Sequence, residues 1–525
     1  MVALAVVACD QNSRSNPPLG EAIVYVDTDM PVVTDGVSVP TLVNRLRIDV
    51  YSGDGSVWYE SQDVDRSNAE DWPASFAVSL GDGEGERSAL VRLRAYAAGN
   101  VRDYRGERYL ERPMGSTSQK TLQPSLPFAA DDCPECLRLL DGSGNDITPP
   151  TEPMPALAID RLLLLSVSPG VVGATSALLA GACTGTMADL YGLRTCVDTD
   201  GVLEDVNVET PGAEPAAPPT SQQGSFEALY ARPCTAALRT PTPGLYDDEV
   251  CVPGGLFVLG SYDGFGNGDN DDVPLSMAAM PSFRMDKYEV TVGRWRAAIA
   301  AGLRSPDLSP SANEGPLVTS DTDPTSLSLC TWSAMPRGRE SYAITCITWA
   351  AARALCQWER SDLPTEAQWE FAVAVAGRAA KTRYAWGGDD GILPTCSRAV
   401  FGRGISTSPA GQECNPHGTQ YGPLAVDARD SDAGDRSDGL GIVGLGGGVE
   451  EYALDALVSR ASACWYGAAL ESPRCDPPGT SVRVSRGAGW DDGIQSVPAA
   501  ARTPMPMALV STSQGFRCVR PAGDP

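Results

Sequence analysis

Cysteine spacing constrains this chain more than any other feature. Fifteen cysteines fall within 525 residues, most of them as near neighbours. Setting aside Cys9 near the N-terminus leaves fourteen, an even number. Cys133/Cys136, Cys183/Cys196, Cys234/Cys251, Cys330/Cys346, Cys396/Cys414 and Cys464/Cys475 read as pairs across short loops, with Cys356 and Cys518 left over. Thiols this frequent in an enzyme-sized chain are a liability in a reducing cytosol, whereas disulfides stabilise an exported protein. The rival reading is zinc at Cys133-Pro134-Glu135-Cys136, which has no second CxxC or histidine pair nearby.

The N-terminus agrees with export. Met1 to Ala8 is a short apolar run that ends in a small residue before Cys9 and turns polar at Asp10. It resembles the bacterial lipoprotein signal, in which the cysteine becomes the lipidated first residue. The run has no basic n-region and is shorter than a usual h-region, as a start codon assigned too far downstream would leave it. Cys9 is the expected lipidation site, the membrane the expected partner through that anchor, and the cell envelope (outer membrane or periplasmic face) the expected location. Residues 10–20, rich in Ser, Asn and Pro, read as a tether. The formal charge of −27 argues against a nucleic-acid partner, because little basic surface is available to displace counterions.

Residues 21–128 carry the pattern of β-strands. Ala22-Ile23-Val24-Tyr25-Val26, Leu46 to Tyr51, Ser75 to Leu80 and Leu90 to Tyr96 are separated by turn formers such as Ser52-Gly53-Asp54-Gly55. The last run alternates apolar and basic residues with period two, as a half-buried strand does. A small antiparallel β-sandwich-like domain is the expected solution. A second β module is expected over 155–210, where Leu162 to Leu165 and Ala177 to Ala180 flank Pro169-Gly170 as two buried strands, not one membrane span. Residues 211–225, rich in Pro, Ala, Gly and Gln, read as a linker.

Five segments punctuate the C-terminal half. They are Val252-Pro253-Gly254-Gly255-Leu256-Phe257, then Asp286-Lys287-Tyr288-Glu289-Val290-Thr291, then Trp349 to Trp358. Leu363-Pro364-Thr365-Glu366-Ala367-Gln368-Trp369-Glu370 follows with Tyr384-Ala385-Trp386-Gly387, and last comes Arg486-Gly487-Ala488-Gly489-Trp490 with Gly515-Phe516-Arg517-Cys518. In this order and spacing the series resembles the formylglycine-generating (sulfatase-modifying factor) family over about residues 250–525. The resemblance implies an α+β fold class, with an irregular C-terminal domain related to C-type lectins behind the all-β N-terminal modules. Trp349 to Trp358 has apolar residues at helical spacing, and Thr365-Glu366 opens a second helix. The family also implies a disulfide between Cys356 and Cys518.

The chemistry the resemblance implies is incomplete here. Family members that make formylglycine hold copper with two cysteines shortly after the Arg-Gly-Gly-Ser-type turn. In this chain the turn ends on Gly489 in place of Ser, and Asp491 to Pro498 contains no cysteine. Cu(I) is soft and requires thiolate or comparable ligands, so copper is not expected. A related branch uses iron held by several histidines, and this chain has one, His417, beside Pro416 and Gly418. The family's calcium site is half present within Gly441 to Tyr452. Glu451 keeps the carboxylate and Gly447 and Val449 offer backbone carbonyls, but Gly444 replaces the fourth oxygen ligand. Calcium, which wants six or more oxygens, is the candidate cofactor at this remnant. Asp263 to Asp272 is a second acidic stretch, read as a solvated loop or a calcium loop.

The sequence supports a lipid-anchored envelope protein whose sulfatase-modifying-factor-like domain is non-catalytic and binds a protein, peptide or glycan. The alternatives are an oxidase of the same family with a non-standard site, and a purely structural lipoprotein.

Overall fold

The structure, a computed structural model, describes residues 3–5, 20–32, 42–79, 87–103, 138–190, 192–198, 200–212, 218–235, 237–261, 275–304, 314, 329–378, 381–387, 394–404, 414, 421–428, 437 and 439–522. Cys9, residues 10–19, Cys133, Cys136, Asp263 to Asp272 other than by sequence, and His417 lie outside them. The chain divides into two compact units, one ending at Leu229 and the other running from Tyr230.

The first unit is built around two large sheets, with two-stranded pairs at Val101–Asp103/Thr151–Pro153 and Arg194–Cys196/Leu203–Asp205 beside them. Four strands run in the order Ala3–Ala5, Ala74–Ser79, Glu21–Thr28, Val172–Leu179, and five in the order Val208–Glu209, Ile159–Val167, Arg87–Tyr96, Arg45–Ser52, Trp58–Asp65. Residues 155–210 are therefore not a second module. Ile159–Val167 pairs antiparallel with Arg87–Tyr96, and Val172–Leu179 pairs parallel with Glu21–Thr28. The turn at Pro169-Gly170 carries the chain from one sheet to the other, with Gly170 at φ 75° where a side chain would be strained. These two apolar runs each need covering on both faces, and joining the earlier strands is what buries them.

Arg87–Tyr96 departs from the half-buried reading in an informative way. Its basic residues do not face water: Arg92 and Arg94 are both buried. Arg92 Nε donates to Asp160 at 2.9 Å, and Arg94 bonds Asp49 at 2.6 Å and Glu152 at 3.2 Å. Burial alone would raise the Asp49 carboxyl, but Arg47 and Arg94 beside it hold it down at about 2. Period two locates the two faces of a strand, and it does not say that the polar face is wet.

The described residues of 211–225 are held against the first unit and are not a free linker. Gly212 exchanges backbone hydrogen bonds with Ala174, and Gln222 N donates to Asp27 at 2.7 Å. Helix α1 (Ser225–Tyr230) starts inside the stretch and buries Phe226.

The second unit is an irregular α+β body that begins well before residue 250. Glu249–Val252 pairs with Phe283–Asp286, which pairs with Val519–Pro521, and Cys234 is bonded to Cys251. A four-stranded sheet runs Thr503–Pro506, Val482–Arg486, Glu450–Ala456, Gln514–Gly515. Helices α2 (Val292–Ala300), α3 (Trp349–Trp358) and α4 (Glu366–Ala374) each start behind a threonine. Thr291, Thr348 and Thr365 accept from the N–H of Arg294, Ala351 and Gln368, satisfying a donor the first turn cannot. Gln368 reaches back to Thr365 N, completing a capping box. A last short helix, α5, spans Ala463–Tyr466.

One core gathers Phe257, Trp369, Phe371 and Trp386, and another gathers Trp295, Trp349, Leu355 and Phe516. The second core also holds Cys356 and Cys518, which form a disulfide across 162 residues. Disulfides also join Cys183–Cys196, Cys330–Cys346, Cys396–Cys414 and Cys464–Cys475. Among the described residues no helix is long and apolar enough to cross a membrane.

Candidate functional site

The turn Arg486 to Trp490 is fixed from beneath by Arg486. Its guanidinium is buried over the Trp369 ring and reaches Glu370 at 2.5 Å and the carbonyls of Ala499 and Ala500. Gly487 has φ 78°, and a Cβ there would lie 3.3 Å from Trp369. At Gly489 a Cβ would come within 2.7 Å of Ser513 Cβ. Ser513 thus occupies the room that a serine at the turn would need, which accounts for glycine at this place.

Beyond the turn stand carboxylates. Asp492 accepts from Gly489 N at 2.7 Å and shares a hydrogen bond with Glu450, while Asp491 bonds Ser513. Burial pushes Asp492 up to about 6, assisted by the charge of Asp491 and opposed by the Gly489 N–H. Burial, then the charge of Asp492, raises Glu450 well above the carboxylate range. A pair of acids in such contact holds a proton between them, because two like charges side by side in a dry site are costly. The donor set is oxygen only, with Ser513 and Thr503 as further neighbours. It does not fit Cu(I). A multi-histidine iron site does not fit a chain with one histidine.

The calcium remnant is also closed, at Glu451. Arg517 Nε lies 2.9 and 2.8 Å from its two oxygens, Arg517 Nη2 is 2.6 Å from Oε1, and Trp369 Nε1 donates to Oε2 at 2.9 Å. A cation at Glu451 would have to sit against that guanidinium, so Glu451, Gly447 and Val449 do not make a calcium site. Gly447 packs on the Val400 backbone and Val449 against Gly515. The loop instead closes on Glu289. A Cβ at Gly444 would fall 2.4 Å from Glu289 Oε1, so Glu289 takes up the space of the missing side-chain ligand. Glu289, Val400, Leu424, Gly444, Gly447 and Gly448 line a cavity of about 20 Å³. That is room for one water, far below the roughly 300 Å³ or more of a small-molecule pocket. Among the described residues no group of three or more His, Cys, Asp or Glu is arranged to hold a metal ion.

Helix α4 supplies a third acidic element that the sequence pattern did not flag. Glu366 and Glu370 stand one turn apart and are both fully buried. Glu366 bonds Arg502 at 2.9 Å and pairs with Arg460 at 3.3 Å, and Glu370 bonds Lys381 at 2.6 Å as well as Arg486. Asp455 accepts from the N–H of Glu366 and of Cys475. Burial, then the Glu366 charge, pushes it up to about 7. The signal was present as paired acids in the first turns of a helix behind a threonine cap, with arginines scattered far along the chain. Only folding shows which arginines meet them.

The profile of the sulfatase-modifying factor enzyme 1-like domain matches residues 235–522. The formylglycine-generating enzyme of Streptomyces coelicolor is 28% identical over 335 residues, covering 56% of this chain and 95% of that protein. The hercynine oxygenase of Mycolicibacterium smegmatis is 32% identical over 195 residues, 34% of this chain and 43% of its own length. Among solved structures, PvdO from Pseudomonas aeruginosa covers 55% of this chain and 100% of its own, at 18% identity and a TM-score of 0.35. With more than half of its length matched, this chain belongs to the family of the sulfatase-modifying factor enzyme 1-like domain.

Proposed function

We propose that this is a lipid-anchored envelope protein whose sulfatase-modifying-factor-like domain has given up oxidation and serves as a binding module for a protein, peptide or glycan. The observation that carries the reading is the chemistry beyond Trp490. The stretch Asp491 to Pro498, shortly after the turn where the family places its two cysteines, holds none, and its Asp491 and Asp492 are tied to Ser513, Gly489 and Glu450. Every cysteine among the described residues is in a disulfide, so none of them offers a thiolate in the oxidised protein. The anchor part of the reading rests on Cys9 behind its apolar run.

Native, non-reducing alkylation of the full chain followed by peptide mapping tests it. The expected result is no label on any of the cysteines bonded in the structure. A stoichiometric label on one of them would restore a candidate nucleophile or copper ligand and favour an oxidase with a non-standard site.

A further inference from the structure

We propose that Arg460, Ser462 and Trp465 form a buried site for a small monovalent anion of the halide class. Arg460 is 2% exposed, and its Nε, Nη1 and Nη2 make no hydrogen bond among the described residues. Among the described residues its one ion-pair partner is Glu366, 3.3 Å from Nη2 without hydrogen-bond geometry, and its guanidinium carbon lies 4.7 Å over the Trp465 ring. A buried guanidinium with idle donors is costly to fold. Two more donors of the same short segment share that condition: Ser462 Oγ and Trp465 Nε1 are buried and unbonded.

The local charge points the same way. Glu366 and Glu370 are surrounded by Arg460, Arg486, Arg502 and Lys381, so the group carries more positive than negative charge. Asp455 beside Glu366 is a third acid, raised by burial, and even when it is ionised one positive charge stays in excess. In a dry interior an anion at the idle donors cancels that excess. Burial of Arg460 keeps out a side chain of another protein or any large phosphate ester. A spherical halide accepts from guanidinium, hydroxyl and indole N–H groups without demanding a fixed lone-pair direction.

Thermal unfolding of the full chain in sodium chloride or bromide, against sodium gluconate at the same ionic strength, tests this. Chloride and bromide are expected to raise Tm along a saturating curve that gluconate does not produce. Arg460→Met should abolish the rise, and Ser462→Ala, which keeps the guanidinium, should move half-saturation several-fold higher. Crystals grown in bromide should show an anomalous peak in contact with Arg460 and Trp465 Nε1. The same Tm in all three salts, a rise that survives in Arg460→Met, or only water beside the guanidinium in the bromide map would overturn the site. Should Arg460→Met fail to fold, Ser462→Ala and the bromide map decide it.

Discussion

Arg517 grips Glu451 through both carboxylate oxygens, and the same guanidinium reaches the carbonyls of Asp286, Lys287 and Val443. The C-terminal Gly-Phe-Arg-Cys segment is thereby tied to the glycine-rich loop and to the strand Phe283–Asp286. Breaking one half of a fully buried pair leaves an uncompensated charge, which typically costs about 3–5 kcal/mol. Arg517→Met is expected to lose stability of that order in urea unfolding. The double variant Glu451→Gln with Arg517→Met should recover part of the loss, and a single-variant cost under about 1 kcal/mol would contradict this account of the pair.

The disulfide Cys356–Cys518 spans 162 residues. A loop of that length corresponds to about 5 kcal/mol on the chain-entropy model. Cys396–Cys414 and Cys464–Cys475 lie within it and already shorten the free loop, which lowers the contribution. Replacing both cysteines with alanine should therefore destabilise the domain by somewhat less than that figure, while the two inner disulfides still form on non-reducing peptide maps.

Asp492 makes stability depend on pH in a predictable direction. Its folded value of about 6 lies above the ordinary 3.8, so the folded chain holds a proton that the unfolded chain releases first. This contribution is full below pH 4 and is lost as pH rises through about 6. At roughly 1.4 kcal/mol per unit, the loss is about 3 kcal/mol at most. Asp492→Asn can still accept from Gly489 N and can donate to Glu450, but it does not ionise. Urea midpoints measured from pH 4 to pH 7 should fall less steeply for the variant, and an unchanged slope would sink the assignment.

Anchoring predicts a separable phenotype. Expressed from the native gene, with its start site checked for a longer basic leader, the protein should partition into the detergent phase and carry a modified Cys9. Cys9→Ser should move it to the aqueous phase. Wild type already in the aqueous phase with an unmodified Cys9 would replace anchoring with simple secretion.

The sequence disclosed most where local rules suffice. Apolar residues at helical spacing marked α3, Thr365-Glu366 marked the start of α4, and short spacings such as Cys330/Cys346 matched loops that could close. It disclosed less where partners are distant. Arg92 and Arg94 looked like a wet strand face because Asp160 and Glu152, which make burial tolerable, lie far along the chain. The strands of 155–210 looked like a module for the same reason, their partners being Glu21–Thr28 and Arg87–Tyr96. At the site, the loss of thiolates could be read directly. The closing of Glu451 by Arg517, and the filling of the Gly444 position by Glu289, could not, because each depends on which distant side chain folds into reach.

The most direct test of the central claim is chemical. The full chain, oxidised and supplied with copper and oxygen, is incubated with a sulfatase-type cysteine peptide, and the peptide is weighed by mass spectrometry beside a no-protein control. The account predicts no aldehyde above the control, because Asp491 to Pro498, the stretch after the turn, contains no cysteine. Formylglycine above that control would contradict it.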